Sequence, residues 1–354
     1  MDLQTAVAAS MLPTSRGTVS AAFKQLRHDN GAGPAFLEFL WAASGRADPL
    51  AAGVLGRILE SAARAIVEAP RLDIQPVPVF DPAYPALLGC TVDPPPVLWV
   101  RGRLEVFTRR AVAVVGSRAA SPYALQVGAR IAAELAERGI LVASGLARGV
   151  DSAAHRGCLK AGGPTVAVLG SGVDRVYPPE HADLAKEIAK TGLVLAELAP
   201  GAAPLPEHFP LRNRIISGIS LATVVVEASE QSGSLITARC ALEQGRDVMA
   251  VPGSVLSGRN RGSHALLKDG ARVVETADDI LQELGWNSAV QSSAQSKSLI
   301  SEPLLVHMEP GELYGLDELA ASTGIEGARL LARLTDLELA GWITAAGGRF
   351  VRRS

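Results

Sequence analysis

Four short turns rich in glycine, serine and arginine carry the groups best suited to binding an anion. They lie at 116–118, 144–149, 170–172 and 229–234. Glycine lets backbone N–H groups approach a phosphate closely, and an arginine guanidinium matches the geometry of phosphate oxygens. Because four such turns follow apolar runs, we expect an anionic ligand longer than a single phosphate.

A fifth segment adds an aromatic ring to this chemistry. Phe209 precedes Arg212, Asn213 and Arg214 at the start of a predicted helix. Arginines neutralise phosphates, and an aromatic face can stack on a nucleic-acid base. The alternative is a solvated helix start with Phe209 buried, just as 116–118 alone could be an ordinary turn.

The candidate binding residues share these five segments. They are Gly116, Ser117, Arg118, Ser144, Gly145, Arg148, Gly170, Ser171, Gly172, Phe209, Arg212, Asn213, Arg214, Ser232, Gly233 and Ser234. Asp151 is interpreted as an N-cap of the following helix rather than an acid or base. His155, one turn into that helix, is expected to pack or form a hydrogen bond.

Signatures of known catalytic and cofactor sites are missing from the sequence. We find no GxxxxGK[ST], no GxGxxG after the first strand, no HExxH and no GxSxG. The three cysteines, Cys90, Cys158 and Cys240, are far apart and form no CxxC or Cys/His cluster. The sequence therefore predicts binding rather than catalysis, with no cofactor and no metal.

The apolar runs that precede the turns predict an α/β fold with a mostly parallel sheet. Strands are expected near 111–115, 140–143, 165–169, 193–197, 221–227, 247–251 and 272–274, alternating with helices on both faces. In such open sheets a ligand binds at the carboxyl ends of the strands, beside helix N-termini. The five segments should therefore meet at one edge of the sheet.

Composition shifts divide the chain into five parts. We predict a helical domain at 1–70, a proline-rich connector with a lead-in strand at 71–104, and a Rossmann-like domain at 105–286. A polar linker at 287–302 then precedes a helix-helix-helix-hairpin module at 303–354, the order of a winged helix.

The net charge of −2 means that any phosphate-binding surface must be local. No basic region precedes an apolar stretch at the N-terminus, and no apolar run reaches the roughly 20 residues of a membrane span. We therefore expect a cytoplasmic protein that does not associate with a membrane.

Several longer motifs resemble the DprA/Smf family of DNA processing proteins. They are GSR at 116–118, SGLARGVDSAAHRG at 144–157, VLGSGVDRVYPPEH at 168–181, FPLRNRIISGIS at 209–220, VVVEASEQSGSLITARCALEQGRDVMAVPG at 224–253 and GSHALLKDGA at 262–271. The segment FDPAYPALL also fits. The resemblance covers about 80–285, and residues 1–70 more weakly resemble a sterile-alpha-motif-like domain.

The resemblance implies a Rossmann-like domain that binds single-stranded DNA and forms homodimers. It also implies a role in natural transformation, where such proteins protect incoming strands and load RecA recombinase. The DNA-binding positions that it implies include Arg118, Phe209 and the Arg212–Arg214 segment. Binding by phosphates and stacking should tolerate any base sequence and weaken with salt.

Two alternatives use the same Rossmann variant. LOG-type phosphoribohydrolases carry PGGxGTxxE at the turn that here reads SGSLITARC, which puts Cys240 in place of the glutamate. A nucleotide-binding sensor without a DNA role is the other alternative. Titration with nucleotides beside oligonucleotides would separate the three.

Overall fold

The computed structural model describes residues 2–12, 18–19, 22, 34–43, 51–286, 303–309, 312–339, 342–346 and 349–352. These residues belong to two compact units, Met1–Asn287 and Ser288–Ser354. The predicted linker at 287–302 lies outside the described residues.

The first unit opens with helices, as the apolar spacing predicts. They are α1 (Leu3–Ser10), α2 (Pro34–Ala43) and α3 (Ala51–Glu68). The carboxylate of Asp2 caps α1 by accepting a hydrogen bond from the backbone N–H of Thr5 at 2.7 Å. The likeness of this region to a sterile-alpha-motif-like domain, and its boundary at 70, stay predictions.

Nine strands form one sheet in the order β1-β2-β6-β5-β4-β3-β7-β8-β9. They are β1 (Gln75–Pro78), β2 (Val97–Gly102), β3 (Ala111–Val115), β4 (Leu141–Ser144), β5 (Thr165–Leu169), β6 (Leu193–Ala196), β7 (Ala222–Val225), β8 (Asp247–Ala250) and β9 (Arg272–Val273). Strands β3 to β9 are parallel, which confirms the predicted parallel sheet. The proline-rich connector supplies β1 and β2, which add to one edge as antiparallel strands.

The helices of this unit follow the strands. They are α4 (Ala86–Gly89), α5 (Pro122–Glu137), α6 (Val150–Lys160), α7 (Ala182–Thr191), α8 (His208–Gly218), α9 (Ser234–Glu243), α10 (Arg261–Lys268) and α11 (Ala277–Glu283). Every residue of β3 and β5 is buried, because a parallel sheet is covered on both faces. This burial explains why the strands are continuous apolar runs without alternation.

The strand order reverses direction at one place. From β3 the chain builds β4, β5 and β6 on one side, and it then returns to place β7 on the other side of β3. Such a reversal opens a crevice between the loops that leave the two central strands. The fold therefore puts its ligand crevice after Val115 and Val225.

The second unit is a winged helix. It contains a 3-10 turn at Pro303–His307, β10 (Leu313–Tyr314), α12 (Leu316–Thr323), α13 (Gly327–Leu339), β11 (Ile343–Ala346) and β12 (Arg349–Arg352). The strands form a small antiparallel sheet in the order β10-β12-β11. Leu319, Leu330, Leu334, Ile343 and Phe350 are buried in its core.

Within the described parts of both units, no helix combines the length and the apolar character that spanning a bilayer would need.

Candidate functional site

A cleft of about 590 Å³ lies at the reversal point of the sheet. The loop after β3, the loop after β7 and the first turns of α8 form its walls. The residues that line it include Gly116, Ser117, Arg118, Ala119, Ala147, Asp151, Tyr177, Phe209, Arg212, Asn213, Ser232, Gly233, Ser234 and Thr237. Four of the five predicted segments thus meet where the topology requires, the segment 144–149 through Ala147 alone.

Arg118 is the exposed cation of this cleft. Its guanidinium carbon lies 5.5 Å from the centre of the Phe209 ring. The ring of Tyr177 lies on Phe209 with a centroid distance of 5.4 Å and a tilt of 55°. A cation over an aromatic face is weakly attracted to it. This contact uses none of the guanidinium N–H groups, which are left to donate to an anion. Charge and stacking surface therefore adjoin each other.

The N-terminal residues of α8 and α9 line the same cleft. The N-terminus of α5 is instead already matched within the fold, because the Glu227 carboxylate accepts from the N–H of Ser121 at 3.1 Å and from its hydroxyl at 2.6 Å. Gly233 is the N-cap residue of α9, and its neighbours Ser232 and Ser234 share a hydrogen bond of 2.7 Å between their hydroxyls. The Asn213 amide ties α8 to this turn by donating to the Gly233 carbonyl at 3.3 Å. The positive ends of helices attract anions.

Arg212 lines the cleft but is only 5% exposed. One terminal nitrogen of its guanidinium donates to the backbone carbonyls of Gly145 and Val168. Burial lowers the pKa of Arg212 to about 10, although the Asp151 carboxylate opposes this shift. A Cβ at Gly145 would overlap the guanidinium, so glycine is required there for packing. Arg212 is thus a buried residue at the cleft wall, and its predicted role in DNA binding stays a prediction.

Asp151 is not the N-cap of α6, which corrects the capping interpretation. The cap is Gly149, with a φ of 78°, and Asp151 lies in the first turn. Its carboxylate accepts from the N–H groups of Gly145 at 3.1 Å and Ala147 at 3.4 Å. Between them Leu146 has a φ of 58°, in the left-handed region that glycine prefers. Burial raises the pKa of Asp151, and Arg212 and these N–H groups oppose that rise.

Arg214 belongs to a buried ion cluster instead of the cleft. Its guanidinium donates to Asp93 and to Glu197, each at 2.8 Å, and its side chain is 9% exposed. Burial lowers its pKa, but the two carboxylates outweigh this and the net pKa of Arg214 is raised. The charge of Arg214 is therefore already matched within the fold, and its predicted role in DNA binding stays a prediction.

Other predicted residues also lie outside the cleft lining. The Ser144 hydroxyl donates to the Val114 carbonyl at 2.7 Å inside the sheet. The turn 170–172 uses its hydrogen-bond donors within the fold. The Ser171 hydroxyl donates to the Arg175 carbonyl at 2.6 Å, and the Gly172 N–H donates to the Ala202 carbonyl at 3.0 Å. Gly170 packs against Phe209. Arg148 is exposed but paired with Glu180. A ligand role for these residues stays a prediction.

His155 forms the expected internal hydrogen bond. Its Nδ1 lies 2.8 Å from the Thr165 hydroxyl, which itself donates to the Val142 carbonyl. Because that hydroxyl proton is already used, Nδ1–H must donate to Thr165. Nε2 is then a bare acceptor, buried without a hydrogen-bond partner among the described residues. Burial, helped by the Arg212 charge, lowers the pKa of His155 to about 3.

The sequence interpretation missed Tyr177 and Thr237 as lining residues. Tyr177 lies in the VYPPEH motif, shortly after the turn 170–172. An aromatic residue at that place was the signal in the sequence for a second stacking ring. Thr237 lies one turn into α9, on the face that carries Ser234.

Cys240 lies on α9, half-buried and outside the cleft lining. Burial raises the pKa of this thiol. Across the described residues, no group of three His, Cys, Asp or Glu side chains is placed to hold a metal ion.

Fold and cleft together define a Rossmann-like α/β protein with a crevice that carries an exposed arginine, and with an appended winged helix. The chain belongs to the DNA recombination-mediator protein A family, whose model matches residues 75–285. A second model, the DprA winged helix domain, matches residues 288–349. The resemblance to the DprA/Smf family is thereby confirmed.

Relatives of known sequence agree. Protein Smf of Escherichia coli K12 is 40% identical over 287 residues, which are 78% of this chain and 76% of that protein. The DNA processing protein DprA of Streptococcus pneumoniae R6 is 43% identical over 205 residues, which are 58% of this chain and 72% of that protein.

Two solved structures share the fold. The crystal structure of DprA from Streptococcus pneumoniae matches with a TM-score of 0.71 and 33% identity, over 80% of this chain and 98% of that chain. A structure that describes the single-stranded DNA binding mode of DNA processing protein A from Helicobacter pylori matches with a TM-score of 0.53 and 27% identity. That match covers 60% of this chain and 95% of that chain.

Proposed function

We propose that this protein binds single-stranded DNA in the cleft at the reversal point of its sheet. In natural transformation it would protect incoming strands and load RecA recombinase onto them. The observation that carries the proposal is the exposed Arg118 guanidinium beside the Phe209 ring, in a cleft lined by the N-terminal residues of α8 and α9. The single-stranded DNA binding of the Helicobacter pylori relative supports it.

The proposed contacts are of two kinds. Arg118, the Ser232–Ser234 turn and the N-terminus of α9 would hold phosphates, because a cation and oriented N–H groups both favour negative charge. Phe209 and Tyr177 would stack on bases, which every base permits through its π-face. Such contacts do not distinguish base sequence, so the protein should accept any single strand.

The cleft supports binding better than catalysis. Among the described residues that line it, Asp151 supplies the single carboxylate, and its oxygen is already engaged by two backbone N–H groups. A phosphoribohydrolase needs a carboxylate free to act on the nucleotide, and Cys240 stands at the position where the LOG-type signature has it. We therefore propose a protein without enzymatic activity that needs no cofactor.

The assembly and location follow from the family resemblance. We propose a cytoplasmic homodimer, because a protein that receives incoming DNA and hands it to RecA must act where RecA acts. Sedimentation of the purified protein would test the dimer.

A comparison of single-stranded and duplex DNA of equal length tests the function. Fluorescence anisotropy at moderate salt should show much tighter binding of the single strand, with little difference between base sequences. Affinity should fall steeply with added salt, because each neutralised phosphate releases counterion. Equal affinity for both forms would reject the proposal. Release of free base from AMP over many turnovers would favour the phosphoribohydrolase instead.

A further inference from the structure

The loop after β8 presents two large aliphatic side chains to solvent. Val255 is 81% exposed and Leu256 is 96% exposed, the highest values for large apolar side chains in the described part of the chain. We call these two residues the aliphatic tip. Exposing them is unfavourable unless they meet a partner, because apolar surface is stabilised by removal from water.

The loop that carries the aliphatic tip is held in place from both sides. The Tyr123 hydroxyl donates to the Pro252 carbonyl at 3.1 Å, and His264 donates through Nε2 to the Gly253 carbonyl at 3.1 Å. The N–H of Leu256 itself donates to the Ser254 hydroxyl at 3.2 Å. These bonds fix the backbone and leave the two side chains outside, so their exposure is a property of the fold.

The base of this loop adjoins the cleft. Strand β8 pairs with β7, and the loop that follows β7 is a wall of the cleft. The Arg259 guanidinium donates to the Ala119 carbonyl at 2.6 Å, and Ala119 lines the cleft directly after Arg118. A polymer that leaves the cleft past Arg118 on this side would therefore meet the loop.

Charge beside the aliphatic tip favours a nucleic-acid partner. Arg118, Arg259 and Arg261 are exposed, and Glu230 offsets Arg261 at 4.0 Å. Arg259 and Arg261 follow the aliphatic tip closely along the chain, and positive charge next to apolar surface matches a single strand, whose charged phosphates alternate with apolar base faces. An ordinary apolar protein surface offers no such alternation.

We infer that Val255 and Leu256 pack against bases of a single strand as it leaves the cleft, and so extend the binding site beyond it. This inference rests on the proposed function, since it concerns a further segment of the same ligand. The tip would contact base faces without hydrogen bonds, so this contact would also be independent of base sequence.

The test uses the full chain and a pair of fluorescein-labelled oligonucleotides of equal length. One is oligo-dT, and the other carries the same phosphates and abasic sugars. The variant is V255S/L256S, and the matched control is V67S, which changes a valine that is 62% exposed on α3. Anisotropy gives the affinity of each protein for each oligonucleotide, and light scattering gives the oligomeric state.

We expect V255S/L256S to bind oligo-dT about tenfold more weakly than the unchanged protein, because a few methylene groups lose their base contact. Its affinity for the abasic strand should not change, and V67S should match the unchanged protein on both strands. Equal losses on both strands, or no loss on oligo-dT, would overturn the inference. A variant that changes oligomeric state without DNA would overturn it as well, and would assign the tip to a contact between copies of the chain.

The failure of the inference is distinguishable from failure of the proposed function. If the unchanged protein binds oligo-dT tightly and V255S/L256S binds it equally well, only the role of the tip is rejected. If the unchanged protein does not bind oligo-dT, both are rejected.

Discussion

Three arginines that look alike in the sequence differ in how far they are exposed to solvent. Arg118 is exposed, whereas Arg212 and Arg214 are 5% and 8% exposed and already have partners. Arg212 supports the loop that holds Leu146, and Arg214 balances two carboxylates. Of the three, Arg118 alone is accessible to a ligand and contributes little to the stability of the fold.

Replacing Arg118 by alanine should weaken single-stranded DNA binding without changing stability. A charge-assisted contact contributes about 1.5–3 kcal/mol when fully formed, which corresponds to a loss of roughly tenfold or more in affinity. Anisotropy titration and the thermal unfolding midpoint measure the two effects. Arg272→Ala is the matched control, because Arg272 is exposed but paired with Glu283 and lies outside the cleft lining. Unchanged affinity in R118A would move the site elsewhere.

Replacing Arg214 by alanine should instead destabilise the fold. It would remove the cation that Asp93 and Glu197 share, and breaking such a buried ion cluster costs about 3–5 kcal/mol. Urea unfolding measures this loss, and Lys186→Ala, which breaks an exposed pair with Asp183, should leave the free energy of unfolding nearly unchanged. If both variants unfold at the same urea concentration, the cluster does not stabilise the protein.

His155 should make stability fall in mild acid. Its pKa is about 3 when folded, against an ordinary 6.5, so the unfolded chain binds the extra proton. Stability is then lost as the pH falls below about 6.5, by about 1.4 kcal/mol for each pH unit. Between pH 6.5 and 5 the unchanged protein should lose about 2 kcal/mol more than H155Q. Parallel curves of unfolding free energy against pH would contradict this.

The types of the site residues could be predicted from the sequence, but their exposure could not. Glycine, serine and arginine after apolar runs indicate 116–118 and 232–234, which line the cleft, because local spacing alone puts them after strands. Whether Arg214 meets solvent depends on Asp93, which lies 121 residues away in the sequence. No local pattern contains that information.

At the scale of elements, two loops use glycine for different reasons. At Gly145 a Cβ would overlap Arg212, so the glycine serves internal packing. At Gly233 a Cβ would meet nothing within 4 Å, and the backbone φ of −62° suits any residue. Since Gly233 lines the cleft, its missing side chain leaves space for a ligand.

Gly233→Ala should therefore weaken binding of single-stranded DNA while the fold stays intact. A methyl group beside the α9 N-terminus would keep a phosphate away from the backbone N–H groups, and we expect about tenfold lower affinity. Gly53→Ala on α3, where a Cβ also meets nothing within 4 Å, is the matched control. Anisotropy and thermal unfolding distinguish the effects, and full affinity in G233A would show that no phosphate lies against this turn.

Parallel strands were easier to predict than edge strands. The runs that became β3 to β8 are mostly apolar, because burial on both faces favours apolar side chains. Strand β1 contains Pro76 and Pro78, which interrupt a strand pattern, and such prolines are tolerated at an edge. The turn 170–172 was also hard to interpret from the sequence. It resembles an anion site, but the Gly172 N–H already donates to the carbonyl of Ala202.

At the scale of the whole molecule, the net charge of −2 gives no general attraction to DNA. Affinity for DNA must therefore come from the few cations around the cleft. The winged helix can increase this affinity only if it contributes positive charge. Its residues 303–354 contain seven acidic and five basic side chains. Among the basic ones, Arg352 donates to the carbonyls of Leu305 at 2.7 Å and Met308 at 3.2 Å, so it supports the fold of the module.

The helix that would enter DNA in a winged helix is α13, and it is mixed in charge. It exposes Arg329 and Arg333 but also Asp336 and Glu338, and α12 adds Asp317 and Glu318 at its first turn. A surface of this composition should repel phosphate at long range. We therefore expect the module to bind a protein or to support an assembly, rather than to hold the strand.

Truncation after Trp286 should leave most of the single-stranded DNA affinity in place. The first compact unit, Met1–Asn287, contains every residue of the cleft and of the aliphatic tip. Anisotropy on the truncated and full-length proteins measures the difference, with circular dichroism and light scattering to establish that the truncated protein folds and keeps its oligomeric state. A large affinity loss in a truncated protein that passes both checks would show that the winged helix itself holds DNA, because removing a net negative module should otherwise leave phosphate binding equal or slightly stronger.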